Sequence, residues 1–333
     1  MHMRQFILTL LLATQSGVAG AEAAQGEPRN EPITIWSDGT RLAGNLWKPE
    51  GLAADEKRPA ILLVHGWGGL RSHLNQAYAP QFAQLGYVVL TFDYRGWGDS
   101  DGKLVRTGAR PQGDLTEYVL RVQEIREIVD PLDQLEDIRA AYYYLLGDQN
   151  VDTGRLAIWG SSLGGGLALA TAASLPGFKV LITQIGSVNP QAGLDSRNPQ
   201  SPLSADSLNR WRTARSRGEV PPFPGSDSAM EGLRGSPDWP EFVRYDPFPS
   251  RESLTAATLI IDAANEELFD IKRNGEALYL SIKDRVTTRY ETLPGTHYDI
   301  YRGEGYQAAL AMEMDWLREH LPVSPRRNIP QSR

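Results

Sequence analysis

Five short apolar runs recur along the chain: AILLVH (60–65), YVVLTFDY (87–94), RLAIWG (155–160), KVLITQIG (179–186) and ATLIIDA (257–263). Strands that are apolar throughout, rather than on alternate residues, are buried on both faces, and this occurs where a parallel sheet is covered by helices above and below. The stretches between them read as helices: 74–85, 130–146, 163–175 and a last one around 306–320. A further strand, TTRYETLP (287–294), precedes that last helix, and ITIWSDGTRLAGNLWKP (33–49) reads as an antiparallel hairpin turning at Asp38–Gly39. The expected class is α/β, a mostly parallel sheet flanked by helices, with antiparallel strands at one edge.

The alternation lapses between about 188 and 250, a segment rich in Pro, Ser, Gly and Arg. Its aromatic residues (Trp211, Phe223, Trp239, Phe242, Tyr245 and Phe248) argue for packing rather than disorder. It follows the sixth strand, and ligand sites in such sheets lie beyond the carboxyl ends of strands. The segment is therefore expected to be an inserted cap over 191–250, with the core formed by 24–190 and 251–321 and a flexible tail over 322–333. Arg210, Arg212, Arg215 and Arg217 within it read as a solvated face.

The first residues carry Arg4, an apolar run from Phe6 to Leu12 and Ala21-Glu22-Ala23, which together read as a signal peptide over 1–23, cleaved near Ala23. A secreted or periplasmic protein without stable membrane insertion is expected. The net charge of −7 argues against nucleic acid as a partner. With no cysteine, disulfides, thiolate metal sites and a cysteine nucleophile are excluded. No metal or cofactor is implied, and the sequence is silent on oligomeric state.

The chemistry-bearing stretch is Gly160-Ser161-Ser162-Leu163-Gly164, a G-x-S-x-G pattern between an apolar strand and a helix. A serine on so sharp a turn needs glycines two residues to either side, because larger side chains would clash. Ser162 is thus the candidate nucleophile. Of the five histidines, His2 leaves with the leader, His320 ends the last helix, and His65 and His73 precede the nucleophile. His297, in the turn after the last strand, is the candidate base. HGWGG (65–69) is a glycine-rich turn directly after a strand, so the Trp67 N–H can join that of Leu163 as an oxyanion hole, with His65 structural. The acid is sought in LIIDAANEELFD (259–270), which holds Asp262, Glu266, Glu267 and Asp270. Asp262 still belongs to the strand, and Glu267 and Asp270 read as residues serving the start of the next helix. Glu266 is the first choice, with Asp262 and Glu267 open and Asp299 an outsider.

HGWGG, FDYRGWGDSDG, GSSLGGG and GTHYDIY together resemble the α/β-hydrolase superfamily, in particular dienelactone hydrolase-like and X-prolyl peptidase/cocaine esterase-like serine hydrolases. The resemblance implies the α/β-hydrolase fold and a triad of Ser162, His297 and Glu266. It also implies that Arg95 braces its loop and that Trp97 packs. The chain has serine where dienelactone hydrolases have cysteine, and it ends too early for the β-sandwich of the X-prolyl relatives. The expected activity is hydrolysis of a small-molecule carboxylic ester through an acyl-enzyme. The alternatives are a peptidase or amidase, in which Asp206 or Glu241 reads a free amino terminus, and a non-catalytic binding protein.

Overall fold

The computed structural model describes residues 26–114, 116–194, 201, 203–225 and 232–324. The leader expected over 1–23 and the tail from 325 onward lie outside the described residues.

Eight strands form one sheet: β1 (Arg29–Ser37), β2 (Thr40–Lys48), β3 (Arg58–Val64), β4 (Val88–Phe92), β5 (Val151–Ser161), β6 (Phe178–Gln184), β7 (Ala257–Ala263) and β8 (Thr288–Leu293). Their spatial order is β1-β2-β4-β3-β5-β6-β7-β8. The pairs β1/β2 and β2/β4 are antiparallel and every other pair is parallel. The first hairpin turns through Asp38 and Gly39, both at positive φ (47° and 79°). This is the two-residue turn whose twist suits paired strands. Successive side chains of β3 point to opposite faces: Ala60, Leu62 and Val64 enter one core, Ile61 and Leu63 the other. Helices α3 (Pro131–Gly147), α4 (Leu163–Ser174) and α7 (Gly275–Ile282) cover the first face. Helices α1 (Arg71–Ala77), α2 (Ala79–Gln84) and α8 (Gly303–His320) cover the second. The single helix expected over 74–85 is two, parted at Tyr78, because Pro80 opens a new first turn where its missing N–H costs nothing.

Two excursions leave this frame. The one between β4 and α3 had no signal in the sequence. It carries an antiparallel hairpin of Lys103–Arg106 with Val122–Ile125. The other contains α5 (Ala205–Ser216) and α6 (Trp239–Phe242). Ser236–Pro237 pairs with Ile128–Val129, which joins the two excursions. Arg210 and Arg217 are exposed as expected, but Arg212 and Arg215 are less solvated. Arg215 pairs with Asp238 at 2.8 Å and stacks on Trp211, while Arg212 donates to Pro240 O at 2.7 Å. The expected flexible tail also starts too early: Ser324 O accepts from Arg58 Nη1 at 2.8 Å and Pro322 O accepts from Arg155, so 322–324 is docked.

Arg95 braces its loop as the resemblance implied. Its guanidinium donates to Asp137 Oδ1 at 2.6 and 2.9 Å, and its backbone N–H to Asp137 Oδ2 at 2.9 Å. Asp137 is fully buried in α3, and Arg95 is nearly so. Trp97 is buried and donates to Ile128 O, so it packs rather than lining a pocket. Removing one partner of a buried ion pair strands the other charge. Asp137→Ala is accordingly expected to destabilise the fold by about 3 kcal/mol or more. Denaturant unfolding checks this, and a midpoint unchanged from wild type would refute it.

Candidate active site

Strand β5 runs into α4 through Ser162, which stands at φ +55° and ψ −127°. A non-glycine residue holds such a conformation only when its surroundings impose it. The glycines make this possible. A methyl group on Gly160 would lie 2.1 Å from Gly164 O, and one on Gly164 would lie 2.4 Å from Val64 O. The Ser162 N–H donates to Gln184 O at 3.0 Å, and its carbonyl accepts from the N–H groups of Gly165 and Ser187, both at 2.9 Å. Leu163, the first residue of α4, has no intrahelical carbonyl for its N–H. The turn after β3 is pressed against this elbow, since a methyl group on Gly66 would come within 2.8 Å of Ser162 Cβ and 3.4 Å of Leu163 N.

The loops after β7 and β8 continue the pairing of their strands. Within the sheet Ala263 is in register with Leu293. Beyond it Ala264 N donates to Leu293 O (2.8 Å) and Asn265 N to Gly295 O (3.0 Å). One step further, Glu266 meets His297. Its Oε2 and Oε1 lie 2.8 and 2.9 Å from His297 Nδ1, and both side chains are buried. Glu267 is placed differently from the expectation. Its Oε2 accepts the backbone N–H of His297 at 2.8 Å instead of serving a helix start. Two adjacent carboxylates thus hold one histidine, one by its ring and one by its backbone. The backbone role of Glu267 has no signal in the sequence, because it follows from the register of the two loops.

Of the other acids, Asp270 caps a short 3₁₀ turn through Lys272 N (2.9 Å). Asp299 accepts from Thr296 N (3.0 Å) and Oγ1 (2.9 Å), and these bonds lower its pKa to about 2. It closes the His297 loop and does not meet the ring nitrogen. Asp262 belongs to β7, as expected. It is fully buried beneath Gly275, with no well-formed hydrogen bond to either oxygen among the described residues. Burial pushes its pKa up to about 7, against a smaller pull from the Tyr290 hydroxyl.

Ser162, His297, Trp67 and Leu163 all line one cavity of about 890 Å³ at the carboxyl ends of the parallel strands. Glu266 stands behind His297. Among the described residues no hydrogen bond reaches Ser162 Oγ from the imidazole, a contact that often tightens only with substrate bound. The cavity wall is largely aromatic and aliphatic, with Trp67, Trp159, Phe269 and Tyr306 from the core and Leu233, Trp239 and Phe242 from the second excursion. Trp67 is clasped by that excursion: its Nε1 donates to Arg234 O at 3.0 Å and its ring lies 5.7 Å from that of Phe242. His65 also lines the cavity, but burial lowers its pKa to about 4 and its Nδ1 faces Gly66 O at 3.1 Å. His73 Nδ1 accepts from Leu70 N at 3.3 Å, and His320 packs on Trp316. The described residues contain no cluster of three or more His, Asp or Glu side chains able to hold a metal ion.

The model of the X-Pro dipeptidyl-peptidase (S15) family matches residues 38–218, more than half of the chain. The chain belongs to that family. It is a hydrolase of the α/β-hydrolase superfamily. The matched segment spans Trp67, Ser162 and Leu163, whereas Glu266 and His297 lie beyond it. The chain is 28% identical over 298 residues to an uncharacterized 31.7 kDa protein in the traX–finO intergenic region of Escherichia coli, covering 82% of this chain and 94% of the relative. It is 33% identical over 148 residues to the quorum-quenching protein AidA of Acinetobacter baumannii, covering 44% of this chain and 41% of AidA. Among solved structures, a hypothetical protein from Pseudomonas aeruginosa superposes with a TM-score of 0.62 at 17% identity, covering 94% of this chain and 100% of that one. An esterase from Pyrococcus furiosus does so at 0.55 and 13%, covering 88% and 91%.

Asp262 also makes the stability of the site depend on pH. Its folded pKa of about 7 lies above the ordinary value of 3.8, so the folded state holds the proton more tightly than the unfolded chain does. The benefit is complete below pH 4 and is lost as pH rises to 7, by roughly 4 kcal/mol at most. Asp262→Asn cannot ionise. It is expected to raise stability relative to wild type at pH 8 by more than at pH 5, as read by urea unfolding at both values. An equal difference at the two pH values would refute the assignment.

Proposed function

We propose that this hydrolase cleaves carboxylic esters carrying a large apolar group, through Ser162 as nucleophile, His297 as general base and acid, and Glu266 as the carboxylate that orients the imidazole. The observation that carries the reading is the Glu266–His297 contact at 2.8 Å, which engages Nδ1 of a ring that lines the same cavity as Ser162. With Nδ1–H held by the carboxylate, Nε2 carries the lone pair. It takes the Ser162 proton as Oγ attacks the acyl carbon, and Glu266 stabilises the imidazolium that forms. The N–H groups of Trp67 and Leu163 bind the developing oxyanion. The imidazolium then protonates the leaving alcohol. Water, deprotonated by His297, attacks the acyl-enzyme and releases the acid.

The size and apolar wall of the cavity support a bulky hydrophobic acyl or alcohol group. The segment 191–250 acts as the cap, contributing Trp239 and Phe242 to that wall. The family description favours a second reading, peptide cleavage after an X-Pro dipeptide. Such a substrate needs an anion for its amino terminus. Glu241 is occupied by Arg244, and neither it nor Asp206 lines the cavity; Asp270 does, but one of its oxygens caps Lys272 N and Arg273 lines the cavity too. The predominantly apolar wall favours ester hydrolysis. We further propose that the chain is exported and cleaved after Ala23, on the strength of the leader pattern.

A series of p-nitrophenyl esters from acetate to long acyl chains tests the activity. Wild type is expected to prefer the longer chains. Ser162→Ala should lose on the order of 10⁴-fold or more in kcat. Glu266→Gln should lose on the order of 10²- to 10⁴-fold, because the amide stabilises the wrong tautomer and no imidazolium. Turnover of X-Pro-p-nitroanilide but of no ester would select the peptidase reading. Mass spectrometry of the protein recovered from a periplasmic extract is expected to show residue 24 as the new amino terminus, and an intact Met1 there would overturn the export proposal.

A further inference from the structure

Ser161 is polar, buried and covalently next to the proposed nucleophile, yet it does not figure in the chemistry above. Its Oγ lies 2.7 Å from the Tyr301 hydroxyl and 3.4 Å from Gln184 Nε2. The same Gln184 accepts the Ser162 N–H on its carbonyl, so one residue supports both serines. The Gln184 amide meets the Tyr78 hydroxyl at 3.0 Å. Ile185, which follows, stands at φ +43° with its N–H fixed to Ile261 O at 2.6 Å. A β-branched residue keeps that conformation only where the surroundings over-determine it. The end of β6 is therefore held rigidly against the elbow.

Tyr301 ends the short turn that begins at His297, and the two rings lie 6.1 Å apart. Among the described residues, the other hydrogen bonds of this loop tie it to the loop after β7, to itself or to the start of α8, and Ile300 packs in the second core. Glu266 and Glu267 bind His297, Asn265 N donates to Gly295 O, and Asp299 closes on Thr296. These bonds hold the histidine to the loop after β7, and none of them reaches the serine elbow. Among the described residues, the Tyr301–Ser161 hydrogen bond is the one that crosses from the histidine loop to the elbow.

We propose that Tyr301 and Ser161 are positioning residues whose hydrogen bond sets the gap between His297 and Ser162 for proton transfer. The proposal rests on the reading of those two residues as base and nucleophile. Proton transfer needs the heavy atoms about 2.6–3.2 Å apart. A loop free to drift by about 1 Å can cost on the order of 10²-fold in rate. Burial holds the Tyr301 hydroxyl pKa above its ordinary value, so it stays protonated and bonded across the working pH range.

Tyr301→Phe, Ser161→Ala and the double variant test this, with kcat and KM measured on the best p-nitrophenyl ester and the inactivation rate by a fluorophosphonate probe. Each single change is expected to lower kcat and the probe rate by about 10-fold, with KM held to within about two-fold. The double variant should fall no further than the singles, since both remove the same bond. Melting curves report the folded fraction, and the kinetic losses must persist per folded molecule. Wild-type kcat in both singles, or losses that multiply in the double, would overturn the latch. Ser162→Ala, run alongside, separates the two readings. If it retains activity the triad itself is wrong, whereas an inactive Ser162→Ala beside fully active Tyr301→Phe and Ser161→Ala refutes the latch alone.

Discussion

The backbone of Ser162 is the constraint around which the rest is arranged. A serine at φ +55° is strained, and the strain persists because three layers meet there without side chains between them. Gly160 lies against Gly164, Gly164 against the carbonyls of Val64 and His65, and Gly165 against Gly186. Strands β3, β5 and β6 therefore converge on one turn. The order of the sheet, with β5 between β3 and β6, places the HGWGG turn on one side of Ser162 and Gln184 on the other.

Much of this was legible in the sequence because it depends on local rules. Runs such as AILLVH and KVLITQIG declare buried parallel strands without knowledge of their partners. The glycines at 160 and 164 declare the elbow through sterics alone. His297 was reached by its place after the last strand. The excursion between β4 and α3 escaped because its hairpin, Lys103–Arg106 with Val122–Ile125, is half exposed and lacks a clean apolar period. The docking of Ser324 on Arg58 escaped because it is a contact across the whole chain.

The acids show the same boundary more sharply. Asp262 and Glu266 are four residues apart, and the sequence separates them only by where the apolar run is taken to end, which puts Asp262 in the strand and Glu266 beyond it. The structure separates them through where β7 ends. Asp262 is still inside the sheet, fully buried and pushed toward its protonated form. Glu266 lies beyond the strand, where the chain turns to follow the β8 loop. Burial makes the first a poor partner for a cationic imidazole, and register makes the second an unavoidable one.

That register also accounts for the use of glutamate. The bonds from Ala264 to Leu293 and from Asn265 to Gly295 carry the two loops outward side by side, so consecutive residues on one loop face consecutive groups on the other. Glu267 takes the backbone N–H of His297, which fixes the peptide, and Glu266 reaches the ring with both oxygens. A histidine held at peptide and ring has little freedom left except the rigid drift of its whole loop. The hydrogen bond between Tyr301 and Ser161 opposes that drift, and it does so at the residue next to Ser162, the proposed donor of the proton that His297 takes. The proposed base and nucleophile thus sit on separate loops, linked among the described residues by one hydroxyl pair.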